Sequence, residues 1–254
     1  MRQKAYAGEV VWIIGASSGI GAALATQLSS LGARVAISAR RAEALARVAE
    51  SSQAEWVLPL DVTDLASIAE AREQLVLKAG RIDRVVFLSG SYSPMNLDNL
   101  DLEQVRSIVD INLMGAYNLV HEIYPYLLTQ AAGQLSLCAS ISGYGGLPHS
   151  QPYASTKAAM INLTESLRVE ASGTGVDIKL INPGFVRTPL TDKNDFDMPF
   201  IMEPKEAAER IAGGLKKRGF EIVFPRRFAF ILRILSRLPY WLRFRLMSKG
   251  LRKP

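Results

Sequence analysis

The run VVWIIGASSGIG at residues 10–21 decides the fold of this chain. Val10 to Ile14 is a short apolar run rich in β-branched residues, and a glycine-rich turn with Gly15, Gly19 and Gly21 follows it directly. A helical pattern over residues 22–31 comes next, so the order is strand, turn, helix. Such glycines let the backbone approach a pyrophosphate, whose charge is met by amide groups and by the dipole at the helix N-terminus. Glycines that only turn the chain are the alternative, and the flanking strand and helix argue against it.

Strand-like and helical patterns alternate along the rest of the chain. Further strands are predicted at residues 34–39, 56–60, 84–88, 135–139, 177–181 and 221–224, and helices at 65–79, 102–131, 151–171 and 204–217. This alternation gives right-handed crossovers and a parallel sheet that is covered on both faces. We predict an α/β fold, with a single Rossmann-like, doubly wound parallel sheet in residues 1–225 and a basic tail in residues 226–254.

Composition narrows the class of protein further. A chain of 254 residues with 48% hydrophobic residues is long enough for one α/β domain with a full core. The single cysteine, Cys138, has no partner for a disulfide, which fits a reducing compartment. Two histidines, His121 and His149, make no convincing metal site, and we expect no metal and no nucleic-acid partner. The apolar run at residues 10–14 ends in glycines rather than in a cleavage site, and no apolar run reaches the ~20 residues of a spanning helix, so we expect a cytoplasmic protein.

The residues after the second strand indicate which nucleotide is bound. Ala39-Arg40-Arg41 lies where a dinucleotide fold meets the adenine ribose. An acid there would bind the free 2′-hydroxyl of NAD, whereas an arginine suits the additional phosphate of NADP. Arg40 therefore favours NADP(H). Arg41 either shares this role or is a solvated residue of the first helical turn.

A second pattern carries the chemistry, at Tyr153-Ala-Ser-Thr-Lys157, with Ser140 thirteen positions earlier. On a helix, Tyr153 and Lys157 stand one above the other on the same face. The ammonium group would favour the ionised phenol, and we expect it to lower the pKa of Tyr153 from about 10. The Ser140 hydroxyl would hold a substrate oxygen while Tyr153 gives or takes its proton. An ordinary exposed pair is the alternative for this spacing taken alone.

Taken together, the motifs resemble those of the short-chain dehydrogenase/reductase family, in its classical branch, over about residues 8–225. The motifs stand in family order: Gly15-x-x-x-Gly19-x-Gly21, Asp61-Val62, Asn112, Ser140, Tyr153-x-x-x-Lys157, and Asn182-Pro183-Gly184 with Thr188. The resemblance implies an oxidoreductase that moves a hydride between a nicotinamide and a carbonyl or hydroxyl carbon. It also implies a dimer or tetramer that pairs through the helices near residues 102–131 and 151–171.

The resemblance also implies a role for each matching residue. Tyr153 would be the general acid or base, Lys157 its electrostatic partner and a ligand of the nicotinamide ribose, and Ser140 the anchor of the substrate oxygen. Asn112 would hold a water that extends the proton path, or else be a buried structural amide. Asp61 would meet the adenine, or else cap a helix that starts near Thr63. The full predicted cofactor set is Gly15, Ser17, Ser18, Gly19, Ile20, Gly21, Arg40, Arg41, Asp61, Val62, Gly90, Tyr153, Lys157, Pro183, Gly184, Val186 and Thr188.

The chain departs from the family pattern at two neighbouring strand ends. Ile14 stands where the family usually has Thr, and residues 87–90 read Phe-Leu-Ser-Gly in place of an Asn-Asn-Ala-Gly-like run. We infer that apolar packing replaces a polar tie between these strand ends, which bears on cofactor affinity and local rigidity.

Loops at the carboxyl ends of the strands should set substrate specificity. Candidate walls are residues 92–95, Gly143 to His149, Phe185 and the segment 190–202, which carries aromatic and Met side chains among acids. That segment is either a lid with an apolar underside or a plain surface loop. We expect an apolar ketone, aldehyde or secondary alcohol as substrate. A non-catalytic NADP-binding protein that senses redox state or docks partners is the competing class, and epimerases and dehydratases of related fold are weaker rivals.

The tail differs in charge from the rest of the chain. Residues 226–254 hold nine of the 30 Lys and Arg and no acid, so residues 1–225 carry 21 basic against 24 acidic residues, a net −3. A helical wheel groups Phe228, Ile231, Leu232, Leu235 and Leu238 against Arg226, Arg233 and Arg237, with Phe230 as a misfit. Two interpretations stay open: contact with the surface of an anionic membrane, or packing over the substrate pocket or a subunit interface.

Overall fold

The computed structural model describes residues 5–95 and 97–251, with side chains described as far as Ser248. Its centre is one parallel sheet of seven strands in the order β3-β2-β1-β4-β5-β6-β7. The strands are β1 (Val10–Ile14), β2 (Arg34–Ser38), β3 (Trp56–Val57), β4 (Arg84–Phe87), β5 (Gly133–Cys138), β6 (Val176–Pro183) and β7 (Glu221–Phe224). The predicted α/β class and doubly wound parallel sheet are confirmed.

Helices connect the strands and cover both faces of the sheet. They are α1 (Gly19–Ser30), α2 (Ala42–Ser52), α3 (Leu65–Ala79), α4 (Leu102–Val109), α5 (Gly115–Gln130), α6 (Tyr153–Glu170), α7 (Pro204–Leu215), α8 (Arg226–Arg237) and α9 (Tyr240–Leu251). The region 102–131, where helices are predicted, contains α4 and α5, which are separated by a π-helical turn at Asp110–Met114 that includes Asn112. The predicted strand at 56–60 is shorter than expected, although the amides of Leu58 and Leu60 still donate to β2 and its following residue.

Alternation along the strands divides the core into two layers. On β1, Trp12 belongs to the layer with α3, α5 and α6, whereas Val11 and Ile13 belong to the layer with α1, α2 and α7. Strands buried on both faces are typical of a parallel sheet whose crossover helices cover each side. The polar Trp12 indole is satisfied by donating to the Ser38 hydroxyl at 2.8 Å.

The strand order reverses at β1, which pairs with both β2 and β4. Crossovers that leave β1 in opposite directions open a crevice at the carboxyl ends of β1 and β4, where ligands bind in such sheets. At this edge, the backbone segments that follow β1 and β4 pass very close to each other. A Cβ placed on Gly15 would lie 2.5 Å from the Ser89 amide nitrogen, and the φ of Gly15 is +93°, so only glycine is free of strain there.

The ends of β1 and β4, where the sequence departs from the family pattern, are joined by a different kind of contact from the apolar packing that we inferred. The Leu88 amide donates to the Ile14 carbonyl at 2.7 Å, so a backbone hydrogen bond ties the ends together. Ile14 lies in one core layer with its register partner Phe87, whereas Leu88 packs against the opposite layer. Apolar packing is present on both sides of the sheet, but the side chains of Ile14 and Leu88 do not replace the tie by packing on each other.

The basic tail folds as α8 and α9, and the helical wheel predicted its faces only in part. Phe228, Leu232 and Leu235 face the protein as predicted, but Ile231 is more than half exposed. Arg233, predicted on the solvent side, lies inward and binds Glu221 and the Tyr144 hydroxyl. The partly buried carboxylate of Glu221 therefore draws Arg233 to the inner side of the helix. Phe230 does not belong to the inner face of α8; like Ile231, it lies on the exposed face of the helix.

Candidate active site

A cavity of about 680 Å³ runs along the carboxyl edge of the sheet, from the glycine turn to the start of α6. It brings together every predicted catalytic and cofactor residue except Asp61 and Asn112. Of the candidate substrate walls, Leu190, Thr191 and Lys193 of the segment 190–202 line it, whereas residues 92–95, Gly143 to His149 and Phe185 do not. Residues outside these predicted sets also line it: Ala39, Leu60, Leu88, Ser89, Ile111, Cys138, Ala139 and Pro189. Four of them, Ala39, Leu88, Ser89 and Ala139, come just after the ends of strands, so the carboxyl-edge rule applied to each strand end would have found these four.

The glycine turn forms one end of the cavity. Ser18 precedes α1 in an extended conformation, and its side chain makes no capping hydrogen bond to the first amides of the helix. A Cβ on Gly21 would lie 2.3 Å from the Gly15 carbonyl oxygen, and one on Gly19 would lie 2.8 Å from a methyl group of Thr188. The glycines keep the backbone close, and the uncapped N-terminus of α1 is available to an anionic group.

Arg40 and Arg41 line the cavity beside the end of β2. Both are exposed, and within residues 5–95 and 97–251 neither guanidinium has an ion-pair or hydrogen-bond partner. Arg41 precedes the first turn of α2, and its side chain does not cap that helix. No Asp or Glu occurs at residues 38–42. Two uncommitted cations at a helix N-terminus therefore face the cavity without an acid that would repel a phosphate.

Asp61 and Val62 differ in position. The Asp61 carboxylate accepts from the amide and the hydroxyl of Thr63, at 2.9 and 2.8 Å, and so caps a tight turn. The next helix, α3, is capped by Asp64 instead, whose carboxylate accepts from the Ala66 amide at 3.0 Å. The alternative that Asp61 caps that helix is therefore wrong. Val62 lines the cavity, while Asp61 does not.

Tyr153 and Lys157 lie on the first turn of α6 and point to the opposite end of the cavity. The Lys157 ammonium donates to the Cys138 carbonyl at 2.9 Å and lies 5.4 Å from the centre of the Tyr153 ring. Lys157 is almost fully buried, and this burial lowers its pKa. The helical spacing thus places the cation next to the phenol, as predicted.

The pKa of Tyr153 moves in the direction opposite to our expectation. Burial raises it above its ordinary value of 10.0, and the nearby Cys138 and Tyr92 add to this, while a hydrogen bond with the Ser140 side chain acts in the lowering direction. The prediction that the Lys157 charge lowers this pKa is wrong for this structure, because desolvation prevails. Tyr153 is therefore protonated at neutral pH, in the form that donates a proton.

Ser140 stands between β5 and the 3₁₀ turn Ile141–Tyr144. Its hydroxyl donates to the Pro183 carbonyl at 3.3 Å and accepts from the Ser142 amide at 3.2 Å. Two backbone groups therefore fix its position beside Tyr153. Its single hydroxyl proton is held by the Pro183 carbonyl at the longer of these distances, so Ser140 would donate to a further oxygen in the cavity by exchanging this partner.

Asn112 lies behind this group, in the π turn between α4 and α5, and is fully buried. Its carboxamide oxygen accepts from the Ser91 amide at 2.6 Å. Its nitrogen donates to the Ser91 carbonyl at 2.9 Å and to the Thr156 hydroxyl at 3.1 Å. The side chain thus joins the loop after β4 to the first turn of α6, as the structural alternative requires. Its role in a proton path stays a prediction.

The substrate side is bounded by aromatic contacts. The rings of Tyr92 and Tyr153 meet edge to face with centroids 5.3 Å apart. The Tyr92 hydroxyl donates to the Asn194 carboxamide at 2.8 Å, and Lys193 donates to the Tyr92 carbonyl at 2.7 Å. The loop after β4 is therefore connected to the segment 190–202, directly beside the reactive phenol.

The segment 190–202 contributes Phe196 and Phe200 to an aromatic cluster with Phe185 and Phe228. Met202, at the end of the segment, pairs with the strand-like residues 185–187 through two backbone hydrogen bonds. Phe185 contacts Phe196 and Phe228 with centroid distances of 5.9 and 6.1 Å, and Phe200 lies 5.7 Å from Phe228. Because Phe228 belongs to α8, the cluster joins the tail to this segment, while none of its four rings lines the cavity.

Comparisons with known proteins agree on one family. The family model described as short chain dehydrogenase matches residues 9–198. An uncharacterized oxidoreductase of Myxococcus xanthus is 36% identical over 231 residues, which cover 89% of this chain and 91% of that protein.

Two crystal structures, one with NADPH and one with NADH, are also similar to this chain. Actinorhodin polyketide ketoreductase has 24% identity and a TM-score of 0.77, over 85% of this chain and 95% of the other. The 3-ketoacyl-(acyl-carrier-protein) reductase of Brucella melitensis has 23% identity and a TM-score of 0.78, over 87% and 98%. At these identities the two structures show the fold alone.

Proposed function

The chain belongs to the short-chain dehydrogenase/reductase family, and we propose that within it the protein is an NADP-dependent oxidoreductase that interconverts a carbonyl group and an alcohol. The observation that carries this proposal is the convergence of Ser140, Tyr153 and Lys157 at one end of a cavity whose other end is built for a phosphate. Neither half alone would specify the reaction. Together they place a proton donor beside a site for a redox nucleotide.

The chain's own residues supply binding and proton transfer. Ser140, placed by its contacts with Pro183 and Ser142, turns its one hydroxyl proton from the Pro183 carbonyl to the substrate oxygen. Tyr153, protonated at neutral pH, donates its proton to that oxygen in the reductive direction; in the oxidative direction it must first lose its proton to solvent, and the resulting phenolate then accepts the proton of the alcohol. Lys157 stabilises the charge that develops on the phenol during either transfer. When bound, the nicotinamide nucleotide supplies or accepts the hydride.

The preference for the phosphorylated nucleotide rests on Arg40. Its guanidinium is uncommitted and lines the cavity at the end of β2, where an acid would favour the unphosphorylated ribose. Arg41 lies next to it at the start of α2 and adds positive charge at the N-terminus of that helix. We therefore assign Arg40 to the 2′-phosphate and Arg41 to electrostatic support.

The residues beside Tyr153 support an apolar substrate. The segment 190–202, which carries Phe196 and Phe200 of the aromatic cluster, is hydrogen-bonded through Asn194 and Lys193 to Tyr92, which contacts the reactive Tyr153. Apolar walls with a few oriented polar groups are the usual composition of a small-molecule site. A ketone, aldehyde or secondary alcohol with an apolar body fits this arrangement.

We also propose a homo-oligomer, a dimer or tetramer, that pairs through α4, α5 and α6. Met114 and Tyr117 near the start of α5 are about half exposed, and Val169 on α6 is three-quarters exposed. Light scattering coupled to size-exclusion chromatography tests the proposal, and a monomer at micromolar concentration would contradict it.

The experiment for the activity has two readouts. NADPH and NADH are first titrated against the protein, with binding measured by calorimetry. NADPH oxidation is then followed with a panel of ketones and aldehydes whose apolar bodies increase in size. We expect preferential NADPH binding and turnover that improves with apolar size. Tight NADPH binding with no turnover on any carbonyl or alcohol would instead support the competing class, a non-catalytic protein that senses redox state or docks partners.

A further inference from the structure

The two tail helices have an inner face that is committed to the protein. On α8, Ala229 is buried and Phe228 stacks on Phe185. Arg233 binds Glu221 and the Tyr144 hydroxyl, and on α9 Arg243 donates to the Gly146 carbonyl at 3.4 Å. These contacts hold α8 and α9 against the 3₁₀ turn and the edge strand β7. The orientation of both helices is therefore fixed, and so is the identity of the residues that point away from the protein.

The outward residues form what we call the outer tail face: Phe230, Ile231, Ile234, Tyr240, Trp241 and Phe244, with the arginines Arg226, Arg227, Arg237 and Arg245. Phe230 is 64% exposed and Trp241 is 69% exposed. The four arginines are also exposed, and none has an ion-pair partner among the described residues. Two consecutive helices, whose inner sides contact neighbouring parts of the protein, thus each present large apolar side chains and unpaired cations to solvent.

Exposed apolar residues elsewhere do not have this character. Leu77 on α3 is 88% exposed but is a single residue among polar neighbours. Leu97, Leu100 and Leu102 are exposed as a group, but they lie among the acids Asp98, Asp101 and Glu103 rather than among unpaired cations. Isolated exposed apolar residues are normal on soluble proteins, whereas a grouped set marks an interaction surface. In the outer tail face, three aromatic residues fall within five positions of α9.

We propose that the outer tail face docks the protein on the surface of an anionic lipid bilayer. Residues 226–254 contain nine basic residues and no acid, while the remainder of the chain is net negative. Tyr and Trp side chains suit the headgroup level, and arginines gain from anionic lipid. Within the described chain, no helix is long and apolar enough to cross a bilayer, so the contact is peripheral.

Charge also decides against a second copy of the chain as the occupant. A two-fold interface sets the same patch against itself. Arg226, Arg227 and Arg237 would then approach their own copies with no acid in the tail to separate them. Like charges brought together at an interface oppose association. An anionic surface complements the same arginines.

Trp241 provides a direct test that needs no label. The chain has three tryptophans, and the other two, Trp12 and Trp56, are buried in the core. A change in emission on docking therefore reports Trp241. We expect vesicles of phosphatidylglycerol and phosphatidylcholine to shift the emission to the blue and protect it from iodide. We expect vesicles of phosphatidylcholine alone to have little effect, and added salt to weaken binding.

Variants separate the two contributions to docking. Changing Arg226, Arg227 and Arg237 together to Gln should weaken partitioning onto anionic vesicles about a hundredfold, at about fivefold for each charge. Phe230→Ser with Ile234→Ser should weaken it at least about tenfold. The matched control, Leu77→Ser, removes an exposed apolar side chain outside the tail and should leave partitioning unchanged.

Three outcomes would overturn the proposal. The first is an emission spectrum that anionic vesicles leave unchanged. The second is equal binding to neutral and anionic vesicles. The third is a blue shift that appears without vesicles as protein concentration rises and is abolished by Phe230→Ser with Ile234→Ser, which would identify a second copy of this chain as the occupant.

Discussion

The glycine turn and the tail lie at opposite ends of the chain, and their structures are determined in different ways. In the turn, the contacts that matter are between backbone atoms. Gly15 lets the chain pass the Ser89 amide, and Gly21 lets it pass the Gly15 carbonyl. In the tail, the contacts that matter are between side chains distant in sequence, such as Phe228 with Phe185 and Arg233 with Glu221.

This difference explains why one region is readable from a motif and the other is not. A backbone approach requires glycine at a fixed position, so the requirement appears in the sequence itself. When a helix is apolar on two sides, its own sequence does not show which side is buried. On α8 the choice depends on Glu221, five residues before the helix, which accepts hydrogen bonds from Arg233 of α8 and also from two residues of other elements, Tyr144 and Asn182.

The strongest test of the motif-determined region is Tyr153→Phe, which deletes only the transferable proton. We expect turnover to fall by roughly 10²- to 10⁴-fold, the usual contribution of a general acid or base. NADPH binding, measured by calorimetry, should stay nearly intact, because the ring and its contacts with Tyr92 and Lys157 remain.

Tyr92→Phe is the matched control, since it removes a hydroxyl that bonds Asn194 rather than one that donates to substrate. It should leave most of the activity. Lys157→Ala is expected to reduce both binding and rate. If Tyr153→Phe turned over substrate within a few-fold of the unaltered protein, the assignment of Tyr153 as the proton donor would be wrong.

Arg40→Ala tests the second motif-determined position, with the next largest effect. Losing a charge-assisted phosphate contact costs roughly 1.5 to 3 kcal/mol, so NADPH affinity should fall about 10- to 150-fold. NADH affinity should hardly change, because the contact is made only to the additional phosphate. Isothermal titration with both nucleotides measures the two constants.

Arg41→Ala is the control for charge without a direct contact, and a smaller loss of NADPH affinity is expected for it. Unaltered protein that binds NADH more tightly than NADPH would contradict the assignment of Arg40.

Those parts of the fold and of the site that depend on local rules could thus mostly be predicted from the sequence. Strand alternation placed β1, α3 and β7 at their observed residues, and motif spacing placed Ser140 and Tyr153 at one cavity. What failed depended on surroundings that a motif does not encode. The pKa of Tyr153 is set by burial from several elements, and the inward turn of Arg233 by the carboxylate of Glu221. The π turn at Asn112 follows from its three tertiary hydrogen bonds, which helical periodicity does not contain.

Glu221→Gln tests the polar contact that orients the tail. Burial alone would raise the pKa of Glu221, but hydrogen bonds from Arg233, Tyr144 and Asn182 outweigh it and hold the pKa below its ordinary 4.5. A carboxyl with a lowered folded-state pKa stabilises the protein above pH 4.5, and this contribution is lost as the pH falls through the folded pKa. We expect the variant to lose about 1 to 2 kcal/mol near neutral pH, after allowing for the partial exposure of Arg233.

Thermal melting between about pH 7 and pH 3 measures both effects, because the variant should lose less stability than the unaltered protein as acid is added. Glu206→Gln is the matched control, since it breaks an exposed pair with Arg210 on α7. It should change stability little at any pH. A Glu221→Gln protein with the unaltered melting temperature and pH dependence would show that Arg233 does not anchor the tail.

The smallest effects come from a matched pair on α8, Phe228→Ala and Phe230→Ala. The two phenylalanines are two residues apart and undergo the same truncation, but Phe228 contacts Phe185 and Phe200 while Phe230 points to solvent. An aromatic contact contributes about 0.5 to 1.5 kcal/mol beyond its buried area, so Phe228→Ala should reduce kcat/KM for an apolar carbonyl about 2- to 12-fold. Phe230→Ala should leave it unchanged.

The same two variants distinguish the inner and outer faces of the tail, because each should impair one property and leave the other intact: activity on apolar carbonyls for Phe228→Ala, and vesicle binding for Phe230→Ala. Phe230→Ala should weaken binding to anionic vesicles, whereas Phe228→Ala should retain it as long as α8 stays seated, which the Arg233 contacts favour. A small, compact carbonyl that does not reach the aromatic cluster should be reduced equally well by both variants, so the loss in Phe228→Ala must grow with the apolar size of the substrate. If both variants lost activity equally on large and small substrates, α8 would act through the stability of the whole domain, and its contact with the aromatic cluster would have no part in choosing the substrate.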